Sequence, residues 1–176
     1  MKQEKKRLDK WGQGTLEISG SLTNDVTSYA WILATGTNVF SGDASVDMPN
    51  GNFYLGNGNS QRPAPVFVKD RARISTYGIV FSARDPSPDV ELIQDGDATV
   101  VDVKENLWIQ DNGVNDANRY VLKRGSLSAT ELIVEAQTPT NVHYVQEGGT
   151  STFSKVSLKT GSAVLRGGRM NFLGSN

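Results

Sequence analysis

The sequence predicts an all-β protein whose strands coil into a parallel β-helix (a β-solenoid) of about seven rungs, with three short strands in each rung. Two observations favour this fold class. One short phrase recurs seven times, and no stretch shows a sustained 3.6-residue period with helix caps. A β-sandwich is the alternative, because it also combines short strands with glycine-rich turns. We favour the solenoid, since a sandwich would not repeat one phrase seven times.

The repeated phrase is an apolar pair, a turn with Gly or Asp, and a short alternating segment, as in FSGDASV, IQDGDATV and LKRGSLSA. Each copy can be anchored on the first residue after the turn that we expect to face inward. The anchors are Leu16, Ala44, Ala72, Ala98, Leu127, Ser151 and Met170. Their spacings of 28, 28, 26, 29, 24 and 19 residues are close to constant, which indicates one structural unit per copy.

Each unit continues with a second apolar segment, a variable polar loop and a third apolar segment. The second segments include NFYL, GIVF and NLWI, and the third include PVFV, RYVL and VHYV. These segments are rich in Val, Ile, Thr, Tyr and Phe, which favour strands. All six prolines lie in predicted turns or loops, which fits the missing amide donor of proline.

Alternation along the first strand predicts which of its side chains face the core. Pairs such as Ala44/Val46 and Ala98/Val100 are expected inside. The residues between them, such as Thr99, are polar and should form a solvated outer face.

The second strand is predicted to have an apolar outer face. Its inward pairs are Trp31/Leu33, Phe53/Leu55, Ile79/Phe81, Leu107/Ile109, Leu132/Val134 and Val156/Leu158. The outward apolar residues, here called the outer stripe, are Ile32, Tyr54, Val80, Trp108 and Ile133. Such a stripe marks a surface that something covers: a partner protein, a glycan or other ligand, or the chain's own loops and N-terminus. The apolar runs of the third strand are continuous, so its inward side cannot be assigned.

The phrases GTLEISGSL and YVLKRGSLSATELIVEAQ, and the segment YVQEGGTSTFSKVSLKTGSAVLRGGRMNFLG, resemble repeats of autotransporter passengers and of large bacterial surface proteins. The resemblance is clearest over residues 119–174. It implies a right-handed β-solenoid used as a stalk, an adhesin or a structural layer. We therefore expect a protein of the cell exterior, the cell surface or a virion, although no apolar segment of a classical signal peptide follows the first residues.

The composition excludes several kinds of site. The chain has no cysteine and one histidine, so disulfides, thiolate metal sites and two-histidine zinc sites are ruled out. The formal net charge of -1 argues against general nucleic-acid binding. The longest apolar run, residues 29–34, is far shorter than a membrane span.

Candidate catalytic and metal-binding residues are few. The best acidic cluster is Asp95, Asp97 and Asp102, with Asp43 one or two rungs away. We expect these carboxylates to stabilise turns, with a calcium site as the lesser alternative. His143 has no fixed Ser or Cys partner in the sequence, so a surface role is favoured over that of a catalytic base. The sequence predicts no cofactor.

The chain divides into a basic segment, residues 1–10, and one solenoid domain, residues 11–176. The basic segment is a cap or an assembly contact, formed by Lys2, Lys5, Lys6, Arg7, Lys10 and Trp11. A solenoid has two open ends, whose unpaired strand edges favour the addition of further strands. The leading hypothesis is therefore a non-enzymatic structural protein that self-associates in a filament, a surface layer or a virion fibre. A carbohydrate-binding or adhesin module is the second hypothesis, and a polysaccharide-cleaving enzyme is the third.

Overall fold

The computed structural model describes residues 8–25, 27–56, 64–81, 89–110, 117–136 and 142–174. These residues form an all-β solenoid of about five turns. Its sheets are parallel, so the predicted parallel β-helix is confirmed. The β-sandwich alternative is wrong, because the sheets of a sandwich are antiparallel.

The strands of the described residues fall into two sheets. In chain order they are β1 (Leu8–Lys10), β2 (Leu16–Ile18), β3 (Ser21–Thr23), β4 (Ser28–Leu33), β5 (Asn38–Phe40), β6 (Ser45–Leu55), β7 (Val66–Lys69), β8 (Arg73–Phe81), β9 (Glu91–Asp95), β10 (Val100–Gln110), β11 (Asn118–Leu122), β12 (Ser126–Glu135), β13 (Val142–Gln146), β14 (Thr150–Leu158), β15 (Ser162–Leu165) and β16 (Arg169–Phe172).

The long-strand sheet has nine strands in the order β1-β4-β6-β8-β10-β12-β14-β16, with β3 paired to β6. The short-strand sheet has seven strands in the order β15-β13-β11-β9-β7-β5-β2. From β5 to β14 the chain alternates between the two sheets, so each turn of the solenoid contributes one short and one long strand.

The structure corrects the predicted number of strands and rungs. The first and second segments of a rung are one continuous strand, as in β6 and β10. A register shift, between Met48 and Asn52 in β6 and between Val103 and Leu107 in β10, lies where the sequence predicted a turn. Because a bulge bends a strand without ending its ladder, three predicted strands become two. About five turns form instead of seven, since outer strands such as β1 and β16 belong to partial turns.

The core lies between the two sheets and is rich in aromatic rings. Trp31, Phe40 and Phe53 pack together with ring centroids 5.7, 5.8 and 6.1 Å apart. Farther along the solenoid, the ring of Tyr144 lies edge-on to Phe153 at 5.7 Å. Such pairs add to the stabilisation that apolar burial gives.

Most predicted inward positions are correct. Every second-strand pair from Trp31/Leu33 to Leu132/Val134 is buried. Among the first-strand pairs, Ala44/Val46, Ala72/Ile74, Leu127/Ala129 and Ser151/Phe153 are buried as predicted. The predicted pair Met170/Phe172 continues the same ladder but is not buried: Met170 is half-buried and Phe172 is exposed, because no further strand of the described residues covers them.

Two first-strand assignments are wrong. Leu16 lies in β2 of the short-strand sheet, and Leu22 of β3 holds the expected position opposite Val46. In the fourth rung Thr99 and Val101 are buried, whereas Ala98 is exposed and Val100 is half-buried. The corner turn of that rung includes residue 98, so the strand starts later than predicted and its alternation is offset by one residue.

From its second copy onward, the repeated phrase forms the corner that leads from a short strand to the next long strand. Five of these corners carry a residue with positive φ: Gly42, Asp70, Gly125, Gly149 and Gly168. A Cβ atom on Gly149 would lie 2.6 Å from the carbonyl oxygen of Gly125 in the adjacent turn. Glycine is therefore required there by both the backbone conformation and the close stacking of corners.

Candidate functional site

The outer stripe runs along the outside of the long-strand sheet. The strand register places Ile32, Tyr54, Val80, Trp108 and Ile133 opposite one another in one ladder, as the sequence predicted. Ile32 is only 4% exposed, and the other four are half-buried. The indole Nε1 of Trp108 is buried and has no hydrogen-bond partner among the described residues. The stripe is thus mainly apolar, and the Tyr54 hydroxyl within it accepts a hydrogen bond from Asn52 Nδ2 at 3.2 Å.

The predicted assembly contact is only partly within the described residues. Lys2, Lys5, Lys6 and Arg7 lie outside them. The Lys10 ammonium donates hydrogen bonds to the carbonyl oxygens of Gly12, Gly14 and Thr35 at 2.8, 2.6 and 2.5 Å.

The Lys10 contacts join β1 to the first turn of the solenoid, and β1 itself pairs with β4. Partial burial lowers the pKa of Lys10 from its usual value. Trp11 is 57% exposed. Of the described members of this contact, Lys10 is therefore bound within the chain, whereas Trp11 is open to solvent.

The acidic cluster does not converge on a common point. Arg124 contacts Asp95 at 2.7 Å and Asp97 at 3.7 Å, and Asp102 accepts a hydrogen bond from Ser128 Oγ at 2.5 Å. In the part of the chain that the structure describes, no three acidic or histidine side chains are grouped as metal ligands. The contacts of these aspartates join adjacent turns, in agreement with a structural role.

Ion pairs run between adjacent turns along the solenoid. In each, the acid lies on the turn nearer the N-terminus. Besides the Arg124 contacts, they are Asp43–Arg71, Glu91–Arg119, Glu131–Lys155, Glu135–Lys159 and Glu147–Arg166. The Arg71 guanidinium holds the pKa of Asp43 below its usual value. Exposed pairs of this kind add little stability individually, but they favour one stacking order of turns.

Sequence reasoning missed a second apolar surface, on the outside of the short-strand sheet. One ladder, here called the short-strand row, runs outward through Val39, Phe67, Ile93, Val121, Val145 and Val164. Val121 and Val145 form the floor of a groove of about 440 Å³. They are only 7% and 9% exposed, because longer polar side chains rise on both sides.

A signal for this row is present in the sequence. In four successive turns the outward apolar residue has a polar or charged residue two positions before it and a charged residue two positions after it. The sets are Glu91-Ile93-Asp95, Arg119-Val121-Lys123, His143-Val145-Glu147 and Ser162-Val164-Arg166. Residues two positions apart in a strand lie on the same face, so the flanking polar residues mark the outward side of the third strand. This signal is present although the apolar runs of that strand are continuous.

His143 has a partner that the sequence did not reveal. Its Nδ1 lies 2.6 Å from Ser162 Oγ, the residue opposite it in β15. Both side chains line the groove beside the short-strand row.

The last turn exposes apolar side chains that belong to the core side in earlier turns. Leu158, Leu165 and Phe172, which continue the inward columns of Val134, Gln146 and Phe153, are 50 to 60% exposed. They lie in or beside β14, β15 and β16, and the last two strands are at the edges of their sheets. An edge with exposed core residues is a template for pairing with another strand.

No helix that could cross a membrane is found among the described residues. No protein-family model, curated protein or solved structure matches this chain.

Proposed function

We propose that this protein is a non-enzymatic structural subunit whose copies stack end to end. The observation that carries the proposal is the exposed apolar edge of the last turn, at Leu158, Leu165 and Phe172. Because each of these side chains is already about half buried, covering the rest contributes about 1 to 1.5 kcal/mol each, and a strand edge gains hydrogen bonds when it is paired.

The first turn offers a surface of matching pattern. Leu16, Ile18 and Leu22 are partly buried and pack on the core from the opposite end. Tracing the ladders from turn to turn connects Leu16 with Ala163, Ile18 with Leu165 and Leu22 with Met170. If the first turn of one copy stacks on the last turn of another, these columns of inward side chains continue from one copy into the next.

A contact of this kind joins two different surfaces. It is heterologous, and it produces an open filament unless the rotation closes a ring. The resemblance over residues 119–174 to bacterial surface repeats supports the same reading. A filament, surface layer or fibre outside the cell or on a virion is accordingly the proposed setting.

The test is the mass in solution, by light scattering, together with negative-stain imaging at two protein concentrations and two salt levels. We expect filaments or a ladder of oligomers that grows with concentration. The variant Leu165→Lys should abolish them, because it places a charge in the stacked column. Tyr77→Lys is the matched control, since Tyr77 is exposed on the long-strand sheet away from both ends. A folded wild type that stays monomeric at every concentration contradicts the proposal.

A carbohydrate-binding module is the second candidate, favoured by the placement of Tyr54 and Trp108. Val80 separates them in the ladder, so they lie two turns apart, about 10 Å. That spacing suits stacking of two rings of one sugar chain. Binding of the wild type, but not of Trp108→Ala, to a glycan array would support this candidate. If the wild type binds no glycan on the array, the candidate is wrong.

A further inference from the structure

The short-strand row lies between two polar rows with a regular charge pattern. On one side, the residues that end or directly follow the short strands form an alternating rail: Lys69, Asp95, Lys123, Glu147 and Arg166. Backbone hydrogen bonds continue the pairing of adjacent turns at this rail. They run from Lys123 N to Gln94 O, from Glu147 N to Leu122 O and from Arg166 N to Gln146 O. The sign of the charge therefore changes at every turn along the solenoid.

On the other side of the row, Glu91 and Arg119 are opposite each other in adjacent turns, followed by His143 and Ser162. The apolar row is thus bordered by charges on both sides in its central turns. This arrangement has the composition of a protein interface, an apolar centre with a charged rim.

We propose that this face binds the same face of a second copy of the chain, in an antiparallel arrangement with two-fold symmetry. The axis passes between the turns of Ile93 and Val121 and runs along the strand direction. Ile93 then faces the partner's Val121, Phe67 faces the partner's Val145, and Val39 faces the partner's Val164. Every member of the short-strand row is covered, which no other position of the axis achieves.

The same axis matches the charges. Asp95 meets the partner's Lys123, Lys69 meets the partner's Glu147, and Glu91 meets the partner's Arg119. Moving the partner by one turn brings Asp95 against the partner's Asp95 and Lys69 against the partner's Lys123. A two-fold parallel arrangement brings Asp95 against the partner's Glu91. The alternation of positive and negative side chains therefore selects both the antiparallel orientation of the partner and its register along the solenoid.

The shapes agree as well. The groove lies over the half of the face where the row consists of valines, with Val121 and Val145 at its floor. The largest side chain of the row, Phe67, lies on the other half and is half-buried. In the antiparallel pair each Phe67 is placed over the partner's groove.

The contact is small. The six neighbouring strands that carry the row span about 24 Å along the axis, and five residues of a short strand span about 16 Å. An interface of this size is at the weak end of specific contacts, so the dimer should dissociate at micromolar concentrations. It is lateral and uses neither end of the solenoid, so it goes beyond the proposed end-to-end stacking and does not rest on it.

Charge reversal tests the pairing of Lys69 with the partner's Glu147. Sedimentation equilibrium is measured up to about 1 mM in the Leu165→Lys background, which leaves this face unchanged. Lys69→Glu or Glu147→Lys alone should weaken the dimer by about tenfold, because two pairs between the copies change from attractive to repulsive. Glu147→Lys also removes the ion pair with Arg166 of the same chain, so Lys69→Glu is the cleaner of the two. The double variant should recover the affinity. Lys104→Glu, which reverses an exposed charge on the opposite sheet, is the matched control that leaves the dimer intact.

A zero-length carbodiimide cross-link gives an independent result. Lys69 and Glu147 of one chain lie three turns apart, about 14 Å, which is too far for direct amide formation. A Lys69–Glu147 cross-linked peptide therefore reports contact between copies.

A folded Leu165→Lys protein that remains monomeric at 1 mM, or a double variant in that background that stays as weak as the single ones, would overturn the proposal. Loss of filaments in Leu165→Lys with retention of the dimer shows that the two contacts are separate. If Leu165→Lys has no effect on filaments, end stacking fails while the lateral contact is still tested by the charge swap.

Discussion

At the residue scale, Lys10 shows how one side chain can hold the first turn. Its ammonium satisfies carbonyl groups of Gly12, Gly14 and Thr35. A Cβ atom on Gly36 would lie 2.3 Å from the Lys10 Nζ, so this corner has no space for a larger residue. The lysine therefore acts as a tie between the strand before the solenoid and the first complete corner.

We predict that Lys10→Met lowers the free energy of unfolding by about 2 kcal/mol, because three carbonyls lose a charged donor. Chemical denaturation followed by circular dichroism measures the change. Lys104→Met is the matched control, since the Lys104 ammonium makes only a 5.7 Å contact with the Tyr77 ring. Equal stability of the two variants would show that the Lys10 contacts contribute nothing.

At the scale of the strand and its corner, buried polar side chains connect the short-strand sheet to the next long strand. Tyr120 donates a hydrogen bond to Gln94 Oε1 at 2.6 Å, and Gln94 Nε2 donates to Ser126 O at 2.9 Å. All of the Tyr120 and Gln94 side chains are buried. Burial also raises the pKa of Tyr120 well above its usual value, so the phenol stays protonated as a donor.

Gln94→Leu should cost about 2 to 3 kcal/mol, because it leaves the Tyr120 hydroxyl and a corner carbonyl buried without partners. Tyr120→Phe alone should cost about 1 kcal/mol. We expect the double variant to be more stable than the sum of the single losses implies, since the orphaned hydroxyl is removed. Additive losses in a double-mutant cycle of urea denaturation would show that the two groups are not coupled.

The same elements show how far the sequence determines the fold. Alternation identified the inward faces of β6, β8 and β12, because one side of each strand carries mainly apolar residues. It failed at Ala98, where one residue of the corner turn decides the phase, and corner length is not encoded in apolar periodicity.

Of the two apolar outer surfaces, the sequence predicted one and did not reveal the other. The outer stripe was predictable, since Tyr54 and Trp108 interrupt an otherwise clear alternation. The short-strand row was not found, because apolar residues occupy both sides of strands such as β11 and only the flanking charges distinguish them. The Ser162 partner of His143 depends on strand register, which becomes known only when the turns are stacked.

At the scale of the whole molecule, each turn contacts mainly its neighbours. Strand β8 pairs with β6 on one side and β10 on the other, and Ile74 is opposite Val101 in that ladder. The stability of a solenoid of this kind is approximately the sum of the stabilities of its turns and of the interfaces between neighbouring turns. A complete turn should therefore be removable if the inward and outward pattern is kept.

Deleting residues 75–101 joins Ile74 to Asp102 and keeps the alternation, because Ile74 faces inward and Asp102 outward. With Tyr120→Phe added to compensate for the lost Gln94, we expect a folded, shorter solenoid with the same β-sheet spectrum and a lower melting temperature. Deleting 75–102 instead joins Ile74 to Val103 and turns Lys104 toward the core, so this matched control should not fold cooperatively. If both deletions behave alike in thermal unfolding, the turns are not interchangeable units and register does not govern the stability of the stack.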